Sequence, residues 1–189
     1  EAFPFMTFQF HEYEDTPIRI LRASFTGEMG YEIYVPSNQA VKIWEKIISF
    51  GKEFGLMPYG TETMHLLRAE KGYIIVGQDT DGSITPLDLG LDWMIGKSKK
   101  DFLGKRSLIR SDTIRKDRKQ LVGILPINKN DRLEEGQHII LDKEIKTPMP
   151  MLGHITSCYQ SPTLGHNFAL AVIKNGQSLI CLLYTSPSP

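Results

Sequence analysis

The sequence predicts an α+β protein, and three observations carry the prediction. A β-hairpin pattern lies near the start of the chain, a helix with one apolar face and a second capped helix follow, and short strand-like runs divided by Gly, Pro and Asn-Gly fill the last third. The texture changes near residue 120, from helices and Gly/Asp-punctuated loops to closely spaced strands. That change sets the expected organisation: one domain over residues 1–115, a small β-barrel over 116–180, and a tail over 181–189.

Each element has a local reason. "IRILRASF" (18–25) and "YEIYVP" (31–36) are rich in β-branched and aromatic residues, and the link Thr26 to Gly30 joins them as a hairpin with a long loop. Ser37 is placed to cap a helix in which Val41, Trp44, Ile47 and Ile48 form one apolar face, with Gly51 or Gly55 as its stop. A second helix spans "TETMHLLRAEKG", with Thr61 as cap and Gly72 as stop. "YIIVGQDTDGSITPLDLGLDWMIG" reads as a short buried strand followed by turns, and "DFLGKRSLIR" as a loop entering a short helix. "SDTIRKDRKQ" is a charged linker or exposed turn. Beyond it, "LVGILPI", "HIILD", "MLGHITSCYQSPTLGHNFALAVIK" and "GQSLICLL" supply the strands of the barrel.

Composition narrows the function. The 189 residues carry 22 Lys+Arg and 22 Asp+Glu, so no global charge favours nucleic acid or an anionic membrane. No apolar run approaches the roughly 20 residues that span a bilayer. The start lacks an initiator Met and the basic and apolar regions of a leader, so the chain reads as an internal fragment. Cys158 and Cys181 form neither a disulfide framework nor a metal pattern, which points to a reducing, cytoplasmic setting. "CLLYTSPSP" breaks abruptly from the preceding texture and reads as a non-native tail resembling a translated sequencing adapter. Asp79, Asp81 and Asp88 lack the spacing of a calcium loop and read as turn and cap residues, so no metal ligand is assigned. The five histidines form no metal-binding pair, and no nucleotide-binding or serine-hydrolase motif is present.

Six blocks in order carry a resemblance: "SFTGEMGYEIYVP", "PYGTETMHLLRAEKGY", "GQDTDGSITPLDLGLDWMI", "DFLGKRSL", "RKQLVGI" and "GHITSCYQSPTLGHNFALAVI". Over residues 18–180 the chain resembles the aminomethyltransferase family, which holds the glycine-cleavage T-proteins and the folate domains of sarcosine- and dimethylglycine-oxidising enzymes. "LRAEKGYIIVGQDTDG" and "LGLDWMIGKSKKDFLGKRSL" tip the resemblance toward the carboxy-terminal region of heterotetrameric sarcosine oxidase alpha subunits. The fold implied is the C-terminal part of a folate-binding aminomethyltransferase domain followed by a small β-barrel.

The resemblance also implies a ligand and its contacts. Tetrahydrofolate is the implied cofactor, with Glu32, Phe25, Tyr31 and Arg68 in its site. Glu32 matches the glutamate that meets the pterin ring, and an ionised carboxylate can accept two adjacent N–H bonds side by side. Taken by itself, Glu32 reads as a solvated strand residue, as most single glutamates are. Phe25 stands where T-proteins carry a Tyr, keeping the ring and losing the hydroxyl; core packing is the alternative. Arg68 matches an arginine near the benzoyl-glutamate side, and a helix-surface pair with Glu62 or Glu70 is the alternative. Met64 and Val76 replace an Arg and a Tyr common in T-proteins, which fits the oxidase branch. The implied reaction is capture of the one-carbon unit from sarcosine demethylation as 5,10-methylenetetrahydrofolate. The implied partners are the other sarcosine oxidase subunits, with FAD or FMN and NAD bound outside this segment. The family's catalytic aspartate precedes residue 1, so no catalytic residue is assigned. A glycine-cleavage aminomethyltransferase and a non-catalytic folate-binding protein are the alternatives.

Overall fold

The computed structural model describes residues 3–141 and 147–179. It divides into two compact units, one ending at Tyr73 and the other beginning at Ile74. Helix and antiparallel sheet occur in segregated runs, as an α+β protein requires.

In the first unit a three-stranded antiparallel sheet has the order β1-β2-β3, formed by Phe8–Tyr13, Thr16–Leu21 and Glu32–Tyr34. The expected hairpin is present in shortened form: Arg19 lies opposite Tyr34, Ile20 opposite Ile33 and Leu21 opposite Glu32. Residues 22–31 form the connection, so Ala23 to Phe25 belong to the loop and not to a strand. The strand β1 lies outside the hairpin that the sequence predicts. It pairs with β2 through a two-residue turn at Glu14 and Asp15, both with positive φ (46° and 59°). This turn lacks the Asn-Gly or Asp-Gly signature. Glu14 is instead tied to the next helix, 2.9 Å from Lys42 Nζ and 3.2 Å from Lys46 Nζ.

That helix, α1 (Ala40–Gly51), begins after a 3₁₀ turn at Ser37–Gln39 and ends in another at Lys52–Phe54, closed by left-handed Gly55. No side-chain capping bond is made at its start, because the 3₁₀ turn occupies the position expected of a cap. The buried face also differs from expectation. Ile43 is buried and Ile47 and Ile48 are half-buried, whereas Val41 and Trp44 face solvent. The inward stripe follows the i, i+4 spacing of Ile43 and Ile47. α2 (Thr61–Glu70) runs as predicted, with Gly60 rather than Thr61 as N-cap and Gly72 (φ +73°) ending it in a left-handed turn.

The second unit contains the larger core. Its sheet has the order β4-β7-β6-β5, formed by Lys119–Ile124, His166–Lys174, Gly153–Ser161 and His138–Ile139. Val122, Ile155, Ala169, Ala171 and Ile173 are buried together on one face, with Leu133, Ile139, Leu152 and Leu179 against them. Two expectations fail here. Residues 73–76 form no strand, because the Ile75 carbonyl accepts from the Gln78 and Asp79 N–H groups and the Ile75 N–H goes to Asp79 Oδ2 at 2.8 Å. A local turn consumes the groups a strand would offer. Gly176–Leu179 forms a 3₁₀ turn after Asn175 and not the start of a strand. The remainder of that expected strand, Cys181 and the 181–189 tail lie outside the described residues.

Buried polar groups fasten the loop of residues 74–95 onto this sheet. A bulge between Ile155 and Ser157 lets two successive hydroxyls reach one acceptor: Thr156 and Ser157 both donate to Asp79 Oδ1, at 2.6 and 2.5 Å. Asp88 accepts from the Thr85 N–H and hydroxyl, both at 2.8 Å, and from Arg118 Nε at 2.9 Å and Nη2 at 2.7 Å. Asp79 and Asp88 thus make the expected turns and also carry long-range bonds.

Candidate functional site

The connection of residues 22–31 holds the candidate residues, and glycines let it lie against α2 and the turn that follows. A side chain at Gly27 (φ +81°) would place its Cβ 2.7 Å from Lys71 Cγ and 3.3 Å from the Tyr73 ring. A Cβ at Gly30 would lie 2.8 Å from the Ala23 carbonyl oxygen. Glycine is required at Gly27 both by backbone conformation and by close approach. Glu28, between them, pairs with Lys71 at 2.7 Å, and this carboxylate raises the ammonium pKa. Glu28 therefore pins the loop to the end of α2.

Phe25 and Tyr31 flank this loop, both with half-exposed rings. The Phe25 ring lies 6.4 Å from that of His65 on α2, tilted by 38°. Tyr31 packs 5.7 Å from Phe3. Glu32 is exposed at the first position of β3 and accepts a hydrogen bond from the Tyr34 hydroxyl. Arg68 is 0% exposed and its Nη1 donates to the Tyr73 carbonyl at 2.9 Å. It therefore stands inside the unit and not on a solvent-facing helix surface, and it binds the chain reversal after α2. Met64 is half-buried on α2, and Val76, at the start of the second unit, is 83% exposed.

The arrangement can do two things chemically. Glu32 offers accessible carboxylate oxygens to a donor-rich ligand, and Phe25 and Tyr31 offer aromatic faces to a flat one. Loop packing joins Phe25 to α2, the helix that carries Arg68, while Glu32 is joined most directly to Tyr34. Tyr34 is the residue that sequence reasoning passed over. Its signal was the i, i+2 spacing in "YEIYVP", which puts Glu32 and Tyr34 on the same face of a strand.

Comparison with known proteins divides the chain at a different place from its two compact units. Residues 1–99 match the model of the GCVT N-terminal domain, and residues 119–180 match that of the glycine cleavage T-protein C-terminal barrel domain. The chain is 50% identical to the sarcosine oxidase subunit alpha of Corynebacterium sp. (strain P-1), across 99% of this chain and 20% of that protein. It is 37% identical to an aminomethyltransferase of Thermoanaerobacter pseudethanolicus, across 82% of this chain and 40% of the relative. Among solved structures, the aminomethyltransferase T of the glycine cleavage system from Bartonella henselae superposes with a TM-score of 0.68 at 24% identity, over 83% of this chain and 42% of that one. The last likeness bears on the fold. The chain spans about a fifth of the length of the sarcosine oxidase subunit alpha and two-fifths of the aminomethyltransferase.

Proposed function

The chain belongs to the glycine cleavage T-protein family, and from that premise we propose that it is the folate-binding part of a sarcosine oxidase alpha subunit. In this reading it binds tetrahydrofolate, which accepts the one-carbon unit released by oxidative demethylation of sarcosine. FAD or FMN and NAD are bound by other parts of the assembly, whose further subunits are the partners. The setting in this reading is the cytoplasm. Identity to the Corynebacterium subunit along almost the whole chain supports the oxidase branch over an aminomethyltransferase.

The residues present suit the ligand. Glu32 would accept the paired donors of the pterin, and the half-exposed rings of Phe25 and Tyr31 would offer it aromatic faces. Arg68 would engage the benzoyl-glutamate side, which requires the buried guanidinium to be uncovered. Bound in this way the acceptor is held where the one-carbon unit arrives, and a bimolecular capture becomes effectively intramolecular. The domain limits belong to the same proposal: a folate-binding domain to residue 115 and the barrel from 116 to 180.

The accessible Glu32 carboxylate is the observation that carries this reading. In the intact protein, Glu32→Gln is expected to weaken tetrahydrofolate binding by roughly tenfold to a hundredfold, the worth of charge-assisted bonds, with the thermal midpoint almost unmoved. Unchanged affinity in titration calorimetry would show that Glu32 is not the pterin ligand.

A further inference from the structure

We infer that Tyr34 is a positioning residue for the Glu32 carboxylate, held in place by Arg19, and that the chain Arg19–Tyr34–Glu32 fixes how the carboxylate presents its oxygens to a ligand with adjacent N–H donors. This inference rests on the proposed role of Glu32. It goes beyond that role by identifying what orients the carboxylate.

The geometry begins with the strand. Residues 32 and 34 of β3 share one face, and the Tyr34 phenol donates to Glu32 Oε2. Arg19 lies opposite Tyr34 in the β2–β3 ladder, and its guanidinium carbon stands 4.5 Å from the Tyr34 ring centroid. That is within the range of a cation–π contact. Arg19 and Tyr34 also line a shallow hollow of about 220 Å³ with Phe10, Pro17, Ile18 and Val35. The ring is therefore held from β2 through Arg19, independently of its hydroxyl. A tyrosine fixed in this way can orient its neighbour, because its own position does not depend on the bond it donates.

The chemistry follows from the carboxylate's freedom. The terminal torsion of a glutamate is broad and roughly two-fold, so an untethered carboxylate samples many planes. A ligand offering two parallel donors needs one plane. The two oxygens present about four acceptor sites; the phenol uses one at Oε2 and leaves Oε1 and a remaining site for the ligand. The ionised Glu32 pushes the Tyr34 phenol pKa up, against a smaller opposing effect of Arg19, so the phenol remains a donor at neutral pH. In the exposed state this bond competes with water. A ligand covering the pair removes that competition and strengthens the tether as it binds.

The test is a double-mutant cycle on tetrahydrofolate affinity in the intact protein. Tyr34→Phe keeps the ring and its stack with Arg19 and removes only the hydroxyl. It is expected to weaken binding about three- to tenfold on the wild-type background and to have no effect beside Glu32→Gln. Tyrosine labelled with ¹³C at Cζ supplies a second readout: in Glu32→Gln the Tyr34 phenol should titrate at lower pH while the other tyrosines stay unmoved. A weakened Glu32→Gln with an unaltered Tyr34→Phe overturns the inference and leaves the role of Glu32 standing. So does an equal loss from Tyr34→Phe on both backgrounds, which would mark the phenol as acting on its own. An unaltered Glu32→Gln overturns both.

Discussion

β1 and β7 are both members of antiparallel ladders, and they are buried to opposite extents. β7, "HNFALAVIK", is central in its sheet, and Phe168 to Ile173 are all buried. β1, "FQFHEY", is an edge strand whose Phe8 and Phe10 are largely exposed and cover each other edge-on at 5.5 Å. The two textures differ in the expected way: a continuous apolar run suits a strand covered on both faces, and an alternating one suits a strand covered on one. Coverage itself comes from elsewhere. In the second unit, one face of the sheet packs on Leu133, Ile139, Leu152 and Leu179, and residues 74–95 are fastened to the unit through buried carboxylates. In the first, the described residues bury Ile43 and Ala69 as their only apolar side chains of that class. Pairing is thus a property of the strands, whereas burial is a property of what is laid over them.

The largest effect that would break this contrast is a backbone collision in the well-covered unit. A Cβ at Gly153 would lie 1.8 Å from the Val172 carbonyl oxygen, inside the β6–β7 ladder. Gly153→Ala is expected to cost at least about 4 kcal/mol, the range reserved for severe core disruption. Urea denaturation measures it, and a loss below about 1 kcal/mol would mean the ladder shifts freely there.

Next in size is the buried ion pair. Burial pushes the Asp88 carboxyl up, but Arg118 and the Thr85 N–H and hydroxyl outweigh it, and its pKa lies below the usual carboxylate value. Arg118→Met leaves that carboxylate enclosed without its guanidinium and is expected to cost about 3 kcal/mol. Adding Asp88→Asn should restore part of the loss, since the uncompensated charge is gone. The depressed pKa gives a sign as well: the pair stabilises fully above the unfolded carboxylate value, and its contribution is lost as pH falls through the lower folded value. Arg118→Met should therefore flatten the acid limb of stability against pH. An equally steep limb in the variant would place the proton uptake elsewhere.

The smallest effect belongs to the exposed unit. Hydrogen bonds from Lys42 and then Lys46 lower the Glu14 pKa from 4.5 to about 2. Because the folded value is depressed, the tie between the β1–β2 turn and α1 is complete above pH 4.5 and is lost as pH falls toward 2. Salt screens it, since all three side chains are substantially exposed. Hydrogen exchange in β1 and β2 should quicken over that pH window beyond the intrinsic trend, and Glu14→Gln should abolish the effect. The β6 and β7 amides should stay protected throughout; exchange as fast as in β1 would dissolve the distinction between the two sheets.

By itself the sequence determined the elements and their class. Periodicity located α1, cap and stop residues located α2, β-branched and aromatic runs located β2, β3, β4, β6 and β7, and the order of blocks pointed to the family that the comparisons then showed. The same sequence pattern held β1, with Phe8, Phe10 and His11–Tyr13 in near alternation, but its turn at Glu14–Asp15 carries none of the residues that ordinarily mark a hairpin. For the candidate site, the resemblance singled out Glu32, whereas Tyr34 was passed over although the i, i+2 spacing in the strand was legible. Tertiary structure alone decided that Arg68 is enclosed against Tyr73, that Val41 and Trp44 turn outward, and that Asp79 and Asp88 reach Thr156, Ser157 and Arg118. The reason is physical. Local propensity and period depend on residues within a turn or a strand of one another, whereas the partner of a buried carboxylate is chosen by which distant group can replace its water.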